Sequence, residues 1–477
     1  MEHLIKINLP GGVVSAGDLY EMLVIAEGAG AGQIRFGNRQ QLFFSVGANQ
    51  LKDMELEMLR AGIAYEVDND RYPNIISSYV CDTIFSQESW LREGVYKDIF
   101  DLFDYQPRLK VNLIDRHQTF IPFFSGNFNF ISSDVSNYWY LHIRFPKTSQ
   151  FYSWPSLVYS DDISTISKRA EDIILKNKAL FYDVPHVDEQ LFFEMVSKDT
   201  NLSAQPLTAP LRLPEFYLPY YEGVNRYANK YWLGIYRRTE LFDLAFLKDV
   251  CNLCLKSRIG QLYTTPWKSI LIKGIDPDDR NEWGVILDRY RLNIRHASNE
   301  LNWQIEDICK EGLDLKQQLV REFEESDLRT YRLSFAIKTQ PKTGLLGSII
   351  IKTQPSGTFE ILHTVDFNPN SKNYITYKRR VKRKDLVKQL EALCNSYYRL
   401  SDKKIKAGPA SVNDAKELQA SYDTLYQCKH CLTLYDEAYG DELNAIPAGT
   451  AFMDIDTYAC PVCDSTKDSF ELVDKRL

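Results

Sequence analysis

Apolar residues recur with a helical period over Ala16–Ala26 and again over residues 239–255, which read TELFDLAFLKDVCNLCL. Each stretch runs into a β-like segment. The first, at 32–44, reads GQIRFGNRQQLFF, and the second, at 260–272, reads GQLYTTPWKSILI. The later parts correspond too. Tyr138–Phe145 (YWYLHIRF) predicts a strand followed by a helix over Asp161–Lys176, and Phe359–Val365 (FEILHTV) then Lys384–Tyr398 predict the same order. Repeats starting 228 positions apart predict a duplicated α/β architecture rather than a solenoid. The halves are placed at 1–190 and 191–400. Residues 401–424, with Lys403–Lys404 and Gly408–Pro409–Ala410, read as a linker, and 425–477 as a compact module.

With 477 residues, two to four domains are expected. The 44% hydrophobic and 25% charged residues are an ordinary globular balance, which excludes a disordered chain and a coiled coil. Aromatics at 13% favour β-rich layers. No apolar run approaches the roughly 18–20 residues that cross a bilayer. The start Met1–Lys6 lacks the long apolar core of a secretory signal, so a cytoplasmic location is expected, with no membrane partner. Nucleic acid is not an expected partner either, for the chain is net acidic and shows no recognised binding module.

Charge and cysteine are unevenly spread. The last 53 residues hold ten acidic and four basic side chains, a net of −6 out of −7 for the whole chain. The same stretch holds Cys428, Cys431, Cys460 and Cys463, four of the nine cysteines. Two residues between cysteines let a tight turn aim both thiols at one point. Two such turns make a tetrahedral four-sulfur site suited to zinc or iron. A module this small has little core of its own, so metal ligation would supply much of its folding free energy.

The residues around these pairs bear on the choice between metals. Tyr426, Tyr435–Asp436, Gly440–Asp441, Ile446–Pro447–Ala448–Gly449–Thr450, Phe452, Tyr458–Ala459 and Lys467–Asp468–Phe470 form a pattern that resembles rubredoxin along the whole module. The resemblance implies one iron ion, cycling between Fe3+ and Fe2+, held by the four thiolates above a small aromatic core. Two departures stand out. That family usually has glycine after each second cysteine, where this chain has Leu432 and Asp464, and Tyr458 stands where Trp is usual.

The long region before it is similar to the nitrite and sulfite reductase hemoproteins. The residues are Leu9–Pro10–Gly11–Gly12–Val13, Gly32, Ile34–Arg35, Asn38–Arg39–Gln40, Asp68–Asn69–Asp70–Arg71 and Pro107–Arg108–Leu109–Lys110. The fold class this implies is α+β: a duplicated nitrite/sulfite reductase-like body, with ferredoxin-like half-domains plus siroheme-domain-like halves, and a small C-terminal rubredoxin-like metal domain. Siroheme carries many carboxylates and the substrate is an anion, so such a site needs Arg and Lys. The resemblance puts Arg35, Arg39, Arg71, Arg108 and Lys110 there, to bind siroheme or an anion. The family's four-iron cluster needs C-x5-C and C-x3-C in the second half. Here Cys309 has no cysteine at that spacing, and Thr339–Gly344 has none at all. No four-iron cluster is expected; a siroheme would need another axial ligand, which the sequence does not show.

Cys251 and Cys254 form a further C-x-x-C, but inside an apolar helix, where packing is the expected role. His117, His142 and His430 are expected to be structural. The basic run 378–384 reads as a solvated face or a docking patch for an acidic carrier, this chain's own tail included. The function these features imply is electron transfer through an iron site serving nitrate, nitrite or sulfite reduction, with a reductase and an acceptor oxidoreductase as partners and no catalytic residue assigned. The alternatives are a siroheme-dependent reductase fed by the rubredoxin iron, and a binding protein with structural zinc.

Overall fold

Two five-stranded antiparallel sheets form the centre, and each takes one edge strand from the other half of the chain. The first runs Phe242–Asp243, Gln33–Phe36, Leu42–Gly47, Glu2–Ile7, Glu66–Val67; the second runs Gly223–Tyr227, Lys230–Ile235, Ile270–Ile275, Gln261–Thr264, Val13–Ser15. Phe242 stands opposite Ile34, and Val14 opposite Leu262. A helix follows each exchanged strand: Ala16–Gly28, whose first turn is capped by the Ser15 hydroxyl accepting from Asp18 N, and Leu244–Lys256. The exchange gives both sheets one apolar core, in which Ile5, Leu23, Phe36, Leu233, Leu247 and Val250 are fully or almost fully buried.

This computed structural model describes residues 2–86, 89–148, 150–198, 200, 202–340, 344–407, 424–431, 433–437, 440–441, 444–447 and 449–474. The duplication extends outward. In one flanking sheet, Ile76–Ser77, Val111–Ile114 and Phe128–Ser132 run parallel, then Tyr138–Arg144 and Ser156–Tyr159 antiparallel. In the other, Trp303–Ile305, Phe335–Lys338 and Ile349–Thr353 run parallel, then Phe359–Thr364 and Tyr374–Val381 antiparallel. A parallel pair needs a crossover, and the helices Glu93–Asp101 and Lys310–Glu325 supply it at equivalent places. Val111–Ile114 and Phe128–Ser132 are buried at every position, and their two interior polar side chains satisfy each other, Asn112 Nδ2 donating to Asn129 Oδ1 at 3.1 Å. Much of the aromatic content goes here, with Phe120, Phe123, Phe128, Phe130 and Trp139 buried together.

The repeat read from the sequence is thus the structural repeat. The second helix begins at Leu244 rather than Thr239, because Phe242–Asp243 is drawn into the ladder beside Gln33–Ile34. The helix Glu189–Ser197 straddles position 190/191, and Leu386–Ala407 covers the start of the segment read as a linker; 408–423 lie outside the described residues. The basic run lies on and just after the exposed edge strand Tyr374–Val381, where cations discourage pairing with another sheet. Among the described residues, no helix is long and apolar enough to cross a membrane.

The C-terminal module is a three-stranded sheet in the order Leu434–Asp436, Thr424–Cys428, Phe470–Asp474. Tyr426, Tyr435, Phe452, Tyr458 and Phe470 form its core, with Phe452 at 4.3 Å from Tyr426 and 5.3 Å from Tyr458 between ring centres. Gly440 sits at φ 67°, and a Cβ there would collide with the Ile446 and Pro447 carbonyls, so this turn demands glycine.

Candidate metal centre and a buried cationic cluster

Cys428 ends the strand Thr424–Cys428, and its N–H donates to Thr433 O at 2.8 Å. The second turn repeats this arrangement, with Cys460 N donating to Ser465 O at 2.8 Å and Asp464 N to Cys460 O at 2.9 Å. The four sulfurs, one from each of Cys428, Cys431, Cys460 and Cys463, all lie within 4.8 Å of one another. Cys428 Sγ is 3.6 Å from Cys463 Sγ, and Cys431 Sγ is 3.4 Å from Cys460 Sγ. Tetrahedral ligation at about 2.3 Å per bond puts sulfurs about 3.8 Å apart, so the residues fit one metal ion. Cys428 and Cys460 are buried, while Cys431 and Cys463 are half-buried and form the outer edge of the site.

Sequence reasoning missed a feature of that outer edge. Thr433 Oγ1 is 3.0 Å from Cys431 Sγ, and Ser465 Oγ is 2.9 Å from Cys463 Sγ. The signal was present in the matching Cys-Leu-Thr and Cys-Asp-Ser runs. Partial burial pushes the Cys463 thiol up, but the Ser465 hydroxyl and backbone N–H outweigh it and hold the thiol down at about 6.

In the body, Arg39 and Lys110 come together and Arg35, Arg71 and Arg108 do not join them. Arg39 is 7% exposed. Its Nε and Nη2 donate to Asn74 O at 3.2 and 2.7 Å, and Nη2 to Val111 O at 3.1 Å. Its Nη1 is buried with no hydrogen-bond partner among the described residues. Burial lowers this guanidinium to about 9, against the pull of Asp70 and Asp307. Lys110 is lowered to about 8 by burial and by Arg39. Lys338 is lowered to about 8 by burial and by Arg144, and Lys372 falls well below its ordinary value through burial, Lys338 and Arg144. Arg144, Lys338 and Lys372 were not foreseen; the signal was a cation ending an apolar strand, as in Tyr138–Arg144 and Phe335–Lys338. Arg108 is spent on Glu171 at 3.5 Å and Asp172 at 3.9 Å, exposed Arg71 stacks on Tyr72 at 5.3 Å, and half-buried Arg35 lies opposite Phe43 on its strand.

Cys309 caps the helix Lys310–Glu325, accepting from Gly312 N at 3.3 Å, and its sulfur lies 3.5 Å from Thr339 Oγ1. Glu306 accepts from Thr339 N and Gln340 N at 3.0 Å each. Residues 341–343 lie outside the described residues. Cys251 and Cys254 are buried in the shared core, and burial pushes Cys251 up to about 12. Burial alone lowers His142 to about 4, so it is neutral at ordinary pH. His117 Nδ1 pairs with Asp115 Oδ1 at 3.1 Å, and His430 is exposed.

The module with its four-cysteine site and aromatic core defines a class. Residues 425–470 match the rubredoxin family, and through this domain the chain belongs to it. Rubredoxin of Megasphaera elsdenii is 44% identical over 50 residues, which is 10% of this chain and 94% of that protein. Rubredoxin of Azotobacter vinelandii is 40% identical over 53 residues, 11% of this chain and 74% of that one. High molecular weight rubredoxin of Moorella thermoacetica is 36% identical over 64 residues, 13% of this chain; the chain spans 28% of that protein's length. The body has the fold of the NirA protein of Mycobacterium tuberculosis, with a TM-score of 0.61 over 86% of this chain and 82% of that chain at 14% identity. The α+β class expected from the sequence, with a large body and a small C-terminal rubredoxin domain, is the one found, and the body has the NirA-like fold.

Proposed function

We propose that this chain is an electron-transfer protein whose rubredoxin domain holds a single iron ion in the site of Cys428, Cys431, Cys460 and Cys463. The observation that carries this reading is the sulfur arrangement, with contacts of 3.4 and 3.6 Å inside a domain of that family. The ion supplies a one-electron Fe3+/Fe2+ couple. The protein's own residues supply what a fast electron exchange needs: four thiolates already in place, hydroxyls from Thr433 and Ser465 on the outer sulfurs, and an aromatic core beneath that resists rearrangement. The NirA-like fold and the reductase resemblance favour a role in nitrite, nitrate or sulfite reduction, with a donor reductase and an acceptor oxidoreductase as partners. Metal quantification with an absorption spectrum tests the reading. One iron per chain and a ferric charge-transfer colour that dithionite bleaches are expected; stoichiometric zinc without colour would make the site structural.

The buried cationic cluster favours a second reading, a siroheme-dependent reductase fed by the rubredoxin iron. Arg39 leaves one guanidinium nitrogen without a hydrogen bond among the described residues, and burial holds Arg39, Lys110, Lys338 and Lys372 below their ordinary values, a setting that a bound anion would relieve. These side chains would hold carboxylates of siroheme or a small oxyanion. A siroheme absorption band in freshly isolated protein is the expected result for this reading, and its absence from siroheme-sufficient cells reduces the cationic cluster to an anion site.

A further inference from the structure

Three arginines of the body close on the two cysteine turns of the module. Arg226 Nη1 donates to Asp464 Oδ1 at 2.9 Å, and Tyr231 Oη donates to Asp464 Oδ2 at 2.9 Å. Arg280 Nη2 donates to Val462 O at 3.2 Å, its Nη1 lies 4.0 Å from Asp464 Oδ2, and its guanidinium sits 5.0 Å from the centre of the Tyr231 ring. Arg295 Nη1 donates to Cys431 O at 3.3 Å. These contacts fall on the outer edge of the site, where Cys431 and Cys463 are half-buried.

Asp464 takes its meaning from this contact. It follows the last cysteine at φ 59°, in the left-handed region where glycine is at ease and Asp is among the few tolerated alternatives. A glycine would make the same turn, but it would offer Arg226 and Tyr231 nothing. Asp464 neutralises one of the three guanidiniums, leaving an excess of two positive charges against the turns.

We propose that this contact is a redox-linked latch: the body holds its own rubredoxin module more tightly when the four-thiolate site is reduced. The inference rests on the electron-transfer reading. Four thiolates with Fe3+ carry −1 and with Fe2+ carry −2. Reduction by one electron, supplied by a chemical reductant or a donor protein, therefore adds one negative charge and neither makes nor breaks a ligand bond. Beside the arginines that charge is stabilised; away from them it is screened by water. Residues 408–423 tether the module, so docking is intramolecular. By thermodynamic reciprocity, whatever factor reduction adds to docking, docking adds to the ease of reduction.

The test is a potentiometric titration of the full iron-loaded chain, wild type against the triple variant Arg226→Gln, Arg280→Gln, Arg295→Gln, which changes only the body. A coupling of about tenfold is expected, which for a one-electron couple lowers the variant's potential by about 59 mV. Added salt should draw the wild type down toward the variant while the variant stays flat. Hydrogen exchange over 223–235 and 280–297 should be slower in the ferrous than the ferric wild type and indifferent to oxidation state in the variant. Asp464→Asn, which keeps the turn and leaves all three guanidiniums uncompensated, should loosen docking in both oxidation states yet keep or widen the ferrous–ferric difference, even if the triple variant folds poorly. Equal potentials, or exchange indifferent to oxidation state in the wild type, overturn the latch while leaving electron transfer intact. A chain that takes up only zinc overturns both.

Discussion

Thr433 Oγ1 lies 3.0 Å from Cys431 Sγ, and the second cysteine turn repeats the pairing with Ser465 and Cys463 at 2.9 Å. A hydroxyl that donates to a thiolate stabilises it more as the site's negative charge grows, so it favours the reduced state. Thr433→Val and Ser465→Ala should each lower the reduction potential. The size follows from a hydrogen bond worth about 0.5–1.5 kcal/mol, or roughly 20–60 mV for one electron. Protein-film voltammetry of the full chain reads this directly, and an unchanged potential in both variants would deny the hydroxyls any part.

Gly440 tests whether the module's turn chemistry matters as the structure says. Gly440→Ala places a Cβ at φ 67° against the Ile446 and Pro447 carbonyls. The left-handed strain alone costs about 1–2 kcal/mol, and the collision adds to it. The variant should lose its metal faster to a chelator and melt earlier in the module, with the body's transition unmoved.

The buried cationic cluster should bind small oxyanions with an affinity that falls as pH rises. Lys110 and Lys338 sit at about 8 in the folded chain, so both lose charge across pH 7 to 9. An anion stabilises the charged forms, and binding above pH 8 should therefore take up protons. Calorimetry with sulfite in two buffers of different ionisation enthalpy measures both effects. Arg39→Gln should weaken binding by about 10–160-fold, from the roughly 1.5–3 kcal/mol of a charged hydrogen bond. Without ligand the stability follows the opposite sense: the unfolded chain holds these protons up to its ordinary lysine value, so the chain gains stability as pH climbs above about 8 toward that value.

Phe242 joins the halves, lying opposite Ile34 and 5.0 Å from the Phe36 ring. Phe242→Ala should cost about 3–5 kcal/mol. Because its strand belongs to one sheet and its following helix to the shared core, denaturant should melt both central sheets in one transition, seen by tryptophan fluorescence and circular dichroism together. Separate transitions would show that the exchanged strands do not couple the halves.

What is local or repeated can be read along the chain. Short-range spacing fixes where Cys428–Cys431 and Cys460–Cys463 turn, apolar period fixes the helices Ala16–Gly28 and Leu244–Lys256, and the order of elements in one half predicts the other. Each of these depends on neighbours a few positions apart, which a linear pattern displays. Tertiary structure decided what depends on distant partners. Phe242–Asp243 reads as the start of a helix until Gln33–Ile34 offers it a ladder. Arg39 and Lys110 are no more conspicuous along the chain than Arg71 and Arg108; burial beside Arg144 sets the first pair apart, and Glu171 claims Arg108. Asp464 looked like a loss of glycine until Arg226, 238 positions away, came within hydrogen-bonding reach. The electrostatic environment of a side chain is set by what folding packs around it, and no local pattern encodes that.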